Sequence, residues 1–276
     1  MKKKLLSIMV LLSVMLCVNA QDNNNDKSEE QGSNATSPKP LPKAIEELIE
    51  NMVYVEGGTF TMGDNNPGLN GDPLEREKPE HQVTLSPYFI CRYEMTQDVW
   101  DAVMGNNYAR VKGAKLPIVN VCWDDCQEFV LKLVLMTGIN FRLPTEAEWE
   151  FAARGGNKSR HTNYSGSNDI DSVAWYGYNS GNTLHPVGQK LPNELGLYDM
   201  NGNAGEWCYD YYGRYESAAQ VDPRGVENSS QNVVRGGNSF QIPEWCHVTS
   251  RFGEIPASRT YYIGLRLAAT PFDVKQ

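Results

Sequence analysis

The sequence predicts an α+β domain with short strands, two or three helices and much irregular loop. The predicted helices and strands fall in separate blocks, which argues against the alternating units of a parallel α/β sheet. The chain has 24 Gly and 15 Pro beside 14 Tyr and 6 Trp, and this composition suits irregular backbone better than a helical bundle. Hydrophobic residues make up 40% of its 276 residues, which is enough for one large packed domain with flanking segments.

The first 20 residues have the layout of a secretory signal peptide. Three lysines at positions 2–4 precede an apolar run that ends at Val18, and small residues lead to a cleavage point after Ala20. The run is shorter than the roughly 20 residues that a membrane-spanning helix needs, so a retained anchor is the lesser alternative. A lipoprotein acylated at Cys17 is also a lesser alternative, because Leu16 is large where that signal has a small residue. We therefore expect an exported product that is periplasmic, on the cell surface or secreted.

The mature chain begins with a tether and continues as one domain. Residues 21–43 are polar and rich in Asn, Ser and Pro, and we expect them to be disordered. The folded domain is predicted over residues 44–272. Helical spacing of apolar residues or β-forming composition predicts, in chain order, a helix at Ala44–Met52, strands at Val53–Met62 and His81–Tyr88, and helices at Thr96–Met104, Asp124–Met136 and Thr145–Arg154.

The last of these helices has the clearest boundaries. Thr145 and Glu148 form the S/T-x-x-E pattern of a capping box, and Gly155 is placed to end the helix. Arg142, just before the helix, is in position to pair with Glu146. We interpret this segment as architecture, because its remaining residues have the periodicity of a buried face.

Charge and motif content exclude several classes of function. The formal net charge is −9 and the basic residues are scattered singly, so no nucleic-acid-binding patch is expected. No GxSxG elbow of a serine hydrolase is present. The four histidines show neither HxxxH nor HExxH spacing, which argues against a zinc peptidase.

Seven strings, in order, resemble the formylglycine-generating enzyme family, also called the sulfatase-modifying factor family. The resemblance covers Met52 to Thr270 and implies a variant of the C-type-lectin fold. The strings are VEGGTFTMG, SPYFICRYEMTQDVWDAVM, LPIVNVCWDDCQEF, FRLPTEAEWEFAARGG, HPVGQKLPNELGLYDMNGNAGEWCYDYY, VVRGGNSF and YYIGLRLA.

Within the fifth string, the segment DMNGNAGE is a candidate calcium loop. From the residues alone, Asn-Gly is first a turn signal, and a polar turn is the simpler interpretation. The family resemblance implies instead a structural calcium ion that is held by the side chains of Asp199 and Glu206 and the carbonyls of Gly202 and Ala204. Calcium takes about six to eight oxygen ligands, commonly carboxylates mixed with carbonyls. The family's second calcium site is not expected, because residues 169–183 lack a matching acidic pair.

The resemblance also implies a copper site, which this sequence does not complete. Family enzymes oxidise a cysteine of a client sulfatase to formylglycine with molecular oxygen, on copper(I) held by two cysteines that stand fourth and ninth after RGG. Here these positions hold Gln241 and Cys246, and Asn238 stands where the enzymes carry Ser. An amide oxygen is a weak ligand for a soft ion. We therefore expect no copper binding, and Cys246, the candidate catalytic residue, is expected to lack its partner cysteine.

The cysteines of the mature chain leave alternatives open. In the family's fold the EWC and RGG blocks are neighbours, so Cys208 is a candidate partner for Cys246. A disulfide between them is favoured in an oxidising compartment, while unpaired thiols, or a metal site that includes Cys208 or His247, remain open. The pairing of the other three cysteines (Cys91, Cys122 and Cys126) is not predicted.

The sequence therefore predicts a non-catalytic, calcium-stabilised binding or structural module of the cell envelope, which does not span the membrane after signal removal. Its recognition surface would be the loops from Asn238 to Tyr262, and its partner a protein or a glycan. These loops carry aromatic residues of the kind that anchor interfaces, unless they are simply core: Phe240, Trp245, Phe252, Tyr261 and Tyr262. The alternative is a formylglycine-generating oxidase with a rearranged copper site.

Overall fold

The computed structural model describes residues 40–65 and 75–271. The predicted signal peptide and most of the predicted tether lie outside the described residues. Within them there are five α-helices: α1 (Lys43–Glu50), α2 (Gln97–Met104), α3 (Trp123–Thr137), α4 (Glu146–Ala153) and α5 (Ile170–Val173). None of these helices is long and apolar enough to cross a bilayer.

The strands of the described part form three small sheets. The first has the order β1-β4-β11-β5, the second β10-β6-β8-β9 and the third β2-β3-β7. Their bounds are β1 (Met52–Val55), β2 (Gly58–Met62), β3 (His81–Leu85), β4 (Tyr88–Cys91), β5 (Phe141–Arg142), β6 (Gly205–Tyr211), β7 (Gln220–Val221), β8 (Asn232–Arg235), β9 (Arg251–Glu254), β10 (Ile263–Leu265) and β11 (Ala268–Ala269).

Both strands predicted near the start of the domain are broken in two, with each half in a different sheet. The chain leaves β1 and enters β2 through Gly57, where a side-chain carbon would lie 2.1 Å from the carbonyl oxygen of Leu85. The second predicted strand breaks between β3 and β4, at the residue pair that includes Pro87. Only glycine tolerates the close approach at the first break, and this approach depends on residues far away in sequence.

The predicted capping box of α4 is confirmed. The Glu148 N–H donates to Thr145 Oγ1 at 3.2 Å, and the Thr145 N–H donates to Glu148 Oε2 at 2.8 Å. Gly155 follows the helix with a φ of 93°. The expected Arg142–Glu146 pair is wrong: both terminal nitrogens of Arg142 donate to the Glu148 carboxylate at 2.6 Å. The side chain of Glu146 points instead to the C-terminal part of the chain.

Buried ion pairs connect α4 to the strands that hold the RGG block. Arg235, which is fully buried, donates to Glu150 and, at 2.6 Å, to the carbonyl of Ser250. Arg251 binds both carboxylate oxygens of Glu146 at 2.6 and 2.7 Å. Since β8 and β9 are neighbours, these pairs fix both ends of the loop that carries the candidate copper position.

Candidate functional site

The predicted calcium loop leads into β6 and is shaped by left-handed residues. Asp199 and Asn203 have positive φ values of 56° and 52°. At Gly202, with a φ of 75°, a side-chain carbon would lie 2.1 Å from the carbonyl oxygen of Trp175. Glycine is therefore required there, and the loop lies directly against the Trp175 backbone.

Asp199 has a carboxylate oxygen without a protein partner. The residue is 2% exposed, and its Oδ2 accepts the N–H of Gly188 at 2.7 Å. Its Oδ1 is buried and accepts no hydrogen bond from the described residues. Burial raises the pKa of Asp199 to about 6. A buried oxygen without a partner is costly, and a bound cation would offset that cost.

Glu206, the second predicted side-chain ligand, is held by protein donors. Arg266 donates to its Oε1 through Nη2 at 2.8 Å and to both oxygens through Nε at 3.1 Å. The indole N–H of Trp149 donates to its Oε2 at 2.6 Å. The carboxylate is therefore well oriented, but its charge is already shared with an arginine.

Glu94, which the sequence analysis did not single out, lies beside these two residues. Its oxygens accept the N–H of Ala204 at 2.7 Å and the side-chain amide of Asn203 at 2.6 Å. Burial, reinforced by the charges of Asp199 and Glu206, raises the pKa of Glu94 well above its usual range. The contact joins residues 110 apart in sequence, so no local pattern indicated it. We call Glu94, Asp199 and Glu206 the carboxylate cluster.

The chemistry of the carboxylate cluster fits a divalent cation. Its three carboxylates face one guanidinium, that of Arg266, so the group has a formal charge of −2 when fully ionised. In the described ranges no group of three or more His, Cys, Asp or Glu side chains is placed to hold a metal ion. Calcium does not need such a group, because backbone carbonyls complete its shell. The predicted set of Asp199, Gly202, Ala204 and Glu206 stays a prediction.

Cys246 lies at the end of a 3-10 turn and is completely buried. Its sulfur lies against Gly237, where a side-chain carbon would come within 2.7 Å. Burial raises the pKa of the Cys246 thiol to about 12. The RGG block therefore approaches the Cys246 segment closely, and the thiol is protonated at neutral pH.

Gln241 is placed by backbone hydrogen bonds on the same loop. Its N–H donates to the carbonyl of Asn238 at 3.1 Å, and its carbonyl accepts the N–H of Gly177 at 2.8 Å. Its side-chain Oε1 is buried and has no partner among the described residues. The loop thus offers a buried amide oxygen where the family's copper site has its first thiolate.

The predicted disulfide between Cys208 and Cys246 finds no support. The EWC and RGG blocks are neighbouring strands, since Trp207 pairs with Val234. However, both cysteines are free and buried, and they lie in different hydrophobic clusters. His247, the other candidate ligand, packs its ring edge-on against Tyr164 at a centroid distance of 5.0 Å.

The aromatic residues of the loops from 238 to 262 form two groups. Phe240, Tyr261 and Tyr262 make edge-to-face contacts, with ring centroids 5.1–6.4 Å apart. We call them the tyrosine group. The guanidinium of Arg110 lies 5.5 Å from the Tyr261 ring. Tyr261 is 45% exposed.

Trp245 and Phe252 form the tryptophan group. Their centroids are 5.1 Å apart, and the guanidinium of Arg76 lies 5.0 and 4.6 Å from the two rings. Trp245 is 40% exposed. None of the five predicted aromatics is fully buried, although Phe252 and Tyr262 pack against the hydrophobic core.

Comparison with known proteins places this geometry in a family. A sequence profile described as "Sulfatase-modifying factor enzyme 1-like domain" matches residues 38–271. A protein named Chaperone protein LppX, from Paenibacillus barcinonensis, is 34% identical over 218 residues, which are 61% of this chain and 74% of that one. The formylglycine-generating enzyme of Thermomonospora curvata is 27% identical over 300 residues, with 82% of this chain and 95% of the enzyme covered.

Solved structures agree with the family assignment and with the predicted fold. Treponema denticola variable protein 1 superposes with a TM-score of 0.73 at 31% identity, covering 80% of this chain and 95% of that one. PvdO from Pseudomonas aeruginosa superposes with a TM-score of 0.66 at 27% identity, covering 80% and 94%. The fold is the C-type-lectin-like fold of the formylglycine-generating enzymes. The chain belongs to the sulfatase-modifying factor enzyme 1-like family.

Proposed function

We propose that the protein is an exported, non-catalytic member of this family that acts as a calcium-stabilised binding module of the cell envelope. The observation that carries the proposal is the pair Gln241 and Cys246. One of the two thiolates that copper(I) needs is replaced by an amide, and the other residue is a buried thiol with a pKa of about 12. A metal-bound cysteine must be deprotonated, and here that step is opposed by burial.

The surface beside this position supports a binding role. Trp245, 40% exposed, lies in the β8–β9 loop whose base is fixed by buried ion pairs, and Tyr261, 45% exposed, lies in the loop that follows β9. Rigid aromatic side chains that lose little conformational entropy are typical anchors of protein interfaces. Relatives named as a chaperone and as a variable protein fit a role in binding. The module's partner is a protein or a glycan of the envelope.

Calcium would act in this module as a structural ion. Asp199 supplies an oxygen without a protein partner, Glu206 is held in position by Arg266, and the carbonyls of Gly202 and Ala204 belong to the same tight loop. A bound cation would neutralise the carboxylate cluster and hold the segment before β6 against the loop of Cys246.

The experiment that tests the absence of catalysis is copper(I) titration of the purified exported chain against a coloured chelator. The wild type is expected to take up no copper(I) and to leave a sulfatase-type cysteinyl peptide unmodified in air. Gln241→Cys restores the second thiolate and is expected to gain one copper(I) per chain. Gln241→Ser, which adds no soft ligand, is the matched control.

The oxidase alternative makes the opposite prediction. One equivalent of copper(I) in the wild type, lost in Cys246→Ser, together with oxygen-dependent modification of the peptide, would overturn the proposal. Mass spectrometry of the unreduced protein decides the cysteine state in the same preparation.

The surface is tested with Trp245→Ala and Tyr261→Ala in sedimentation of the chain with isolated envelopes of the expressing cells. Each variant is expected to reduce the bound fraction. Tyr178→Ala removes an aromatic that is 73% exposed outside these loops and is the control. Equal binding by all variants would refute these loops as the recognition surface.

A further inference from the structure

A second surface, outside the calcium loop and the aromatic loops, lies along β2. Among the described residues, this strand is the outer strand of its sheet and pairs only with β3. A cavity of about 570 Å³ is lined by three consecutive residues of β2, 59–61, and on its far side by residues of α4 and the turn that follows, including Arg154 and Asn157. Consecutive residues of a strand point to opposite faces, so a cavity that touches all three lies against the strand's outer edge.

The pairing of β3 shows which backbone groups face this cavity. The carbonyl of Thr84 accepts the N–H of Asp222, so Thr84 directs its backbone groups towards β7. Thr59 is the partner of Thr84 in β2. In an antiparallel ladder the two residues of such a pair do not bond each other, and both point their N–H and C=O groups away from the partner. Thr59 and, two residues on, Thr61 therefore present N–H and C=O on the outer edge.

Side chains satisfy the outward-facing groups at both ends of this edge. Asn157 donates its side-chain amide to the carbonyl of Gly57 at 3.0 Å. At the other end, the Gly63 N–H donates to Glu150 Oε1 at 3.0 Å, and Arg154 donates to the Gly63 carbonyl at 2.9 Å. Gly57 and Gly63 lie two residues before Thr59 and two residues after Thr61, so their backbone groups also face the outer edge. Outward-facing backbone groups at both ends of the edge are therefore hydrogen-bonded to side chains.

The backbone groups of Thr59 and Thr61 are left without partners on that side. No backbone or side-chain group in residues 40–65 or 75–271 bonds the outer N–H and C=O groups of these two threonines. Their hydroxyls contact Thr84 at 2.8 Å and Gln82 at 2.7 Å across the ladder. A ligand in the cavity would therefore meet the backbone N–H and C=O groups of Thr59 and Thr61. These two donor–acceptor pairs lie about 6.8 Å apart, which is the two-residue repeat of an extended chain.

We propose that the β2 edge is a docking site for an extended peptide segment of a partner protein, which adds to the sheet as a fourth strand. A peptide supplies donors and acceptors at the required spacing, whereas sugar hydroxyls have no such repeat. The mostly polar lining, with Glu80, Gln82, Ser159 and His161, suits a segment with polar side chains. The site uses neither Gln241, Cys246 nor the carboxylate cluster, so it stands independently of the proposed function.

The test is selection of random eight-residue peptides by display against the full chain, followed by a backbone methylation scan of the selected peptides. N-methylation removes one backbone donor and leaves the side chain in place. If the peptide pairs with β2, methylation at alternate residues weakens binding about tenfold or more, and methylation at the residues between them changes it less than about twofold. Loss without this two-residue alternation, or no selected peptide at all, overturns the proposal.

Protein variants supply the complementary measurement. Thr61→Pro removes an outward N–H and no ladder bond, so the sheet is retained and peptide affinity is expected to fall about tenfold. Thr61→Val keeps the N–H and loses only the hydroxyl, so its affinity should match the wild type. Circular dichroism checks the fold of both. Equal peptide binding by Thr61→Pro and the wild type, or capture of glycans in preference to peptides on arrays, overturns the proposal.

Discussion

Two groups of buried charges in this domain differ in how their charge is balanced. Around α4, the carboxylates of Glu146 and Glu150 are paired with the guanidiniums of Arg154, Arg235 and Arg251. In the carboxylate cluster, three carboxylates share one arginine of the described part of the chain, Arg266.

The pKa values follow this difference: burial raises the pKa of Asp210, which has no hydrogen bond to an arginine among the described residues, well above its usual range. Within the α4 group, Arg154 and Arg235 lower the pKa of Glu150 in spite of its complete burial. In the carboxylate cluster, burial raises the pKa of Asp199 to about 6 and also raises that of Glu94. The α4 group is complete as folded, whereas the carboxylate cluster lacks positive charge. A buried carboxylate needs a counter-charge, and in the second region the missing one is what a calcium ion would supply.

Removing a cation from the balanced group is the largest expected perturbation. Arg235→Met leaves Glu150 partly unpaired and the Ser250 carbonyl without its donor, and should lower the free energy of unfolding by about 3–5 kcal/mol. Urea unfolding followed by tryptophan fluorescence measures it. Arg259→Met, which breaks an exposed pair with Asp125, is the control and should cost less than about 1 kcal/mol. Equal costs would mean that the α4 pairs contribute no more than a surface ion pair.

Adding a cation to the unbalanced group should have the next largest effect. Calcium at 100 times its dissociation constant should raise the free energy of unfolding by about 2.7 kcal/mol over the chelated protein. Asp199→Ala removes the unpartnered oxygen and should abolish this response, while Asp222→Asn, a change at an exposed left-handed residue, should leave it intact. Thermal unfolding of each variant, measured with calcium and with a chelator, shows whether calcium stabilises the fold. A calcium response that survives in Asp199→Ala contradicts the site.

The sequence predicted the features of the fold and of the candidate site that depend on residues close together in the chain. The Thr145–Glu148 capping box and the positions of Cys246 and Gln241 relative to RGG were readable because each involves neighbours in the chain. The predicted partner of Arg142, Glu146, was wrong, because the capping residue Glu148 accepts hydrogen bonds both from the start of the helix and from the arginine.

The parts that local spacing could not predict are those made by distant segments. Glu94 meets Ala204 across 110 residues, and Thr249 meets Glu77 across 172. The edge of β2 became visible only when the partner of Thr84 was known. Charge balance and open strand edges belong to the assembled fold, and one sequence carries no local pattern for either.

Glu77 gives the smallest expected effect, because its carboxylate is intermediate between the arginine-paired carboxylates around α4 and the carboxylate cluster. It is 6% exposed, with the Thr249 hydroxyl at 2.9 Å and the Arg76 guanidinium at 3.9 Å. Burial raises the pKa of Glu77, so the folded state binds its proton more tightly than the unfolded state, whose pKa is about 4.3. This group's contribution to stability is therefore largest at low pH and falls as the pH rises from about 4.3 through the raised value.

Glu77→Gln keeps an acceptor for Thr249. Its free energy of unfolding should rise relative to that of the wild type as the pH is raised from 4 to 7, and urea midpoints measured at each pH unit check this. Thr249→Val removes the bond that lowers this pKa and should steepen the wild-type decline, whereas a pH-independent difference between Glu77→Gln and the wild type would show that the carboxylate is already balanced in the fold.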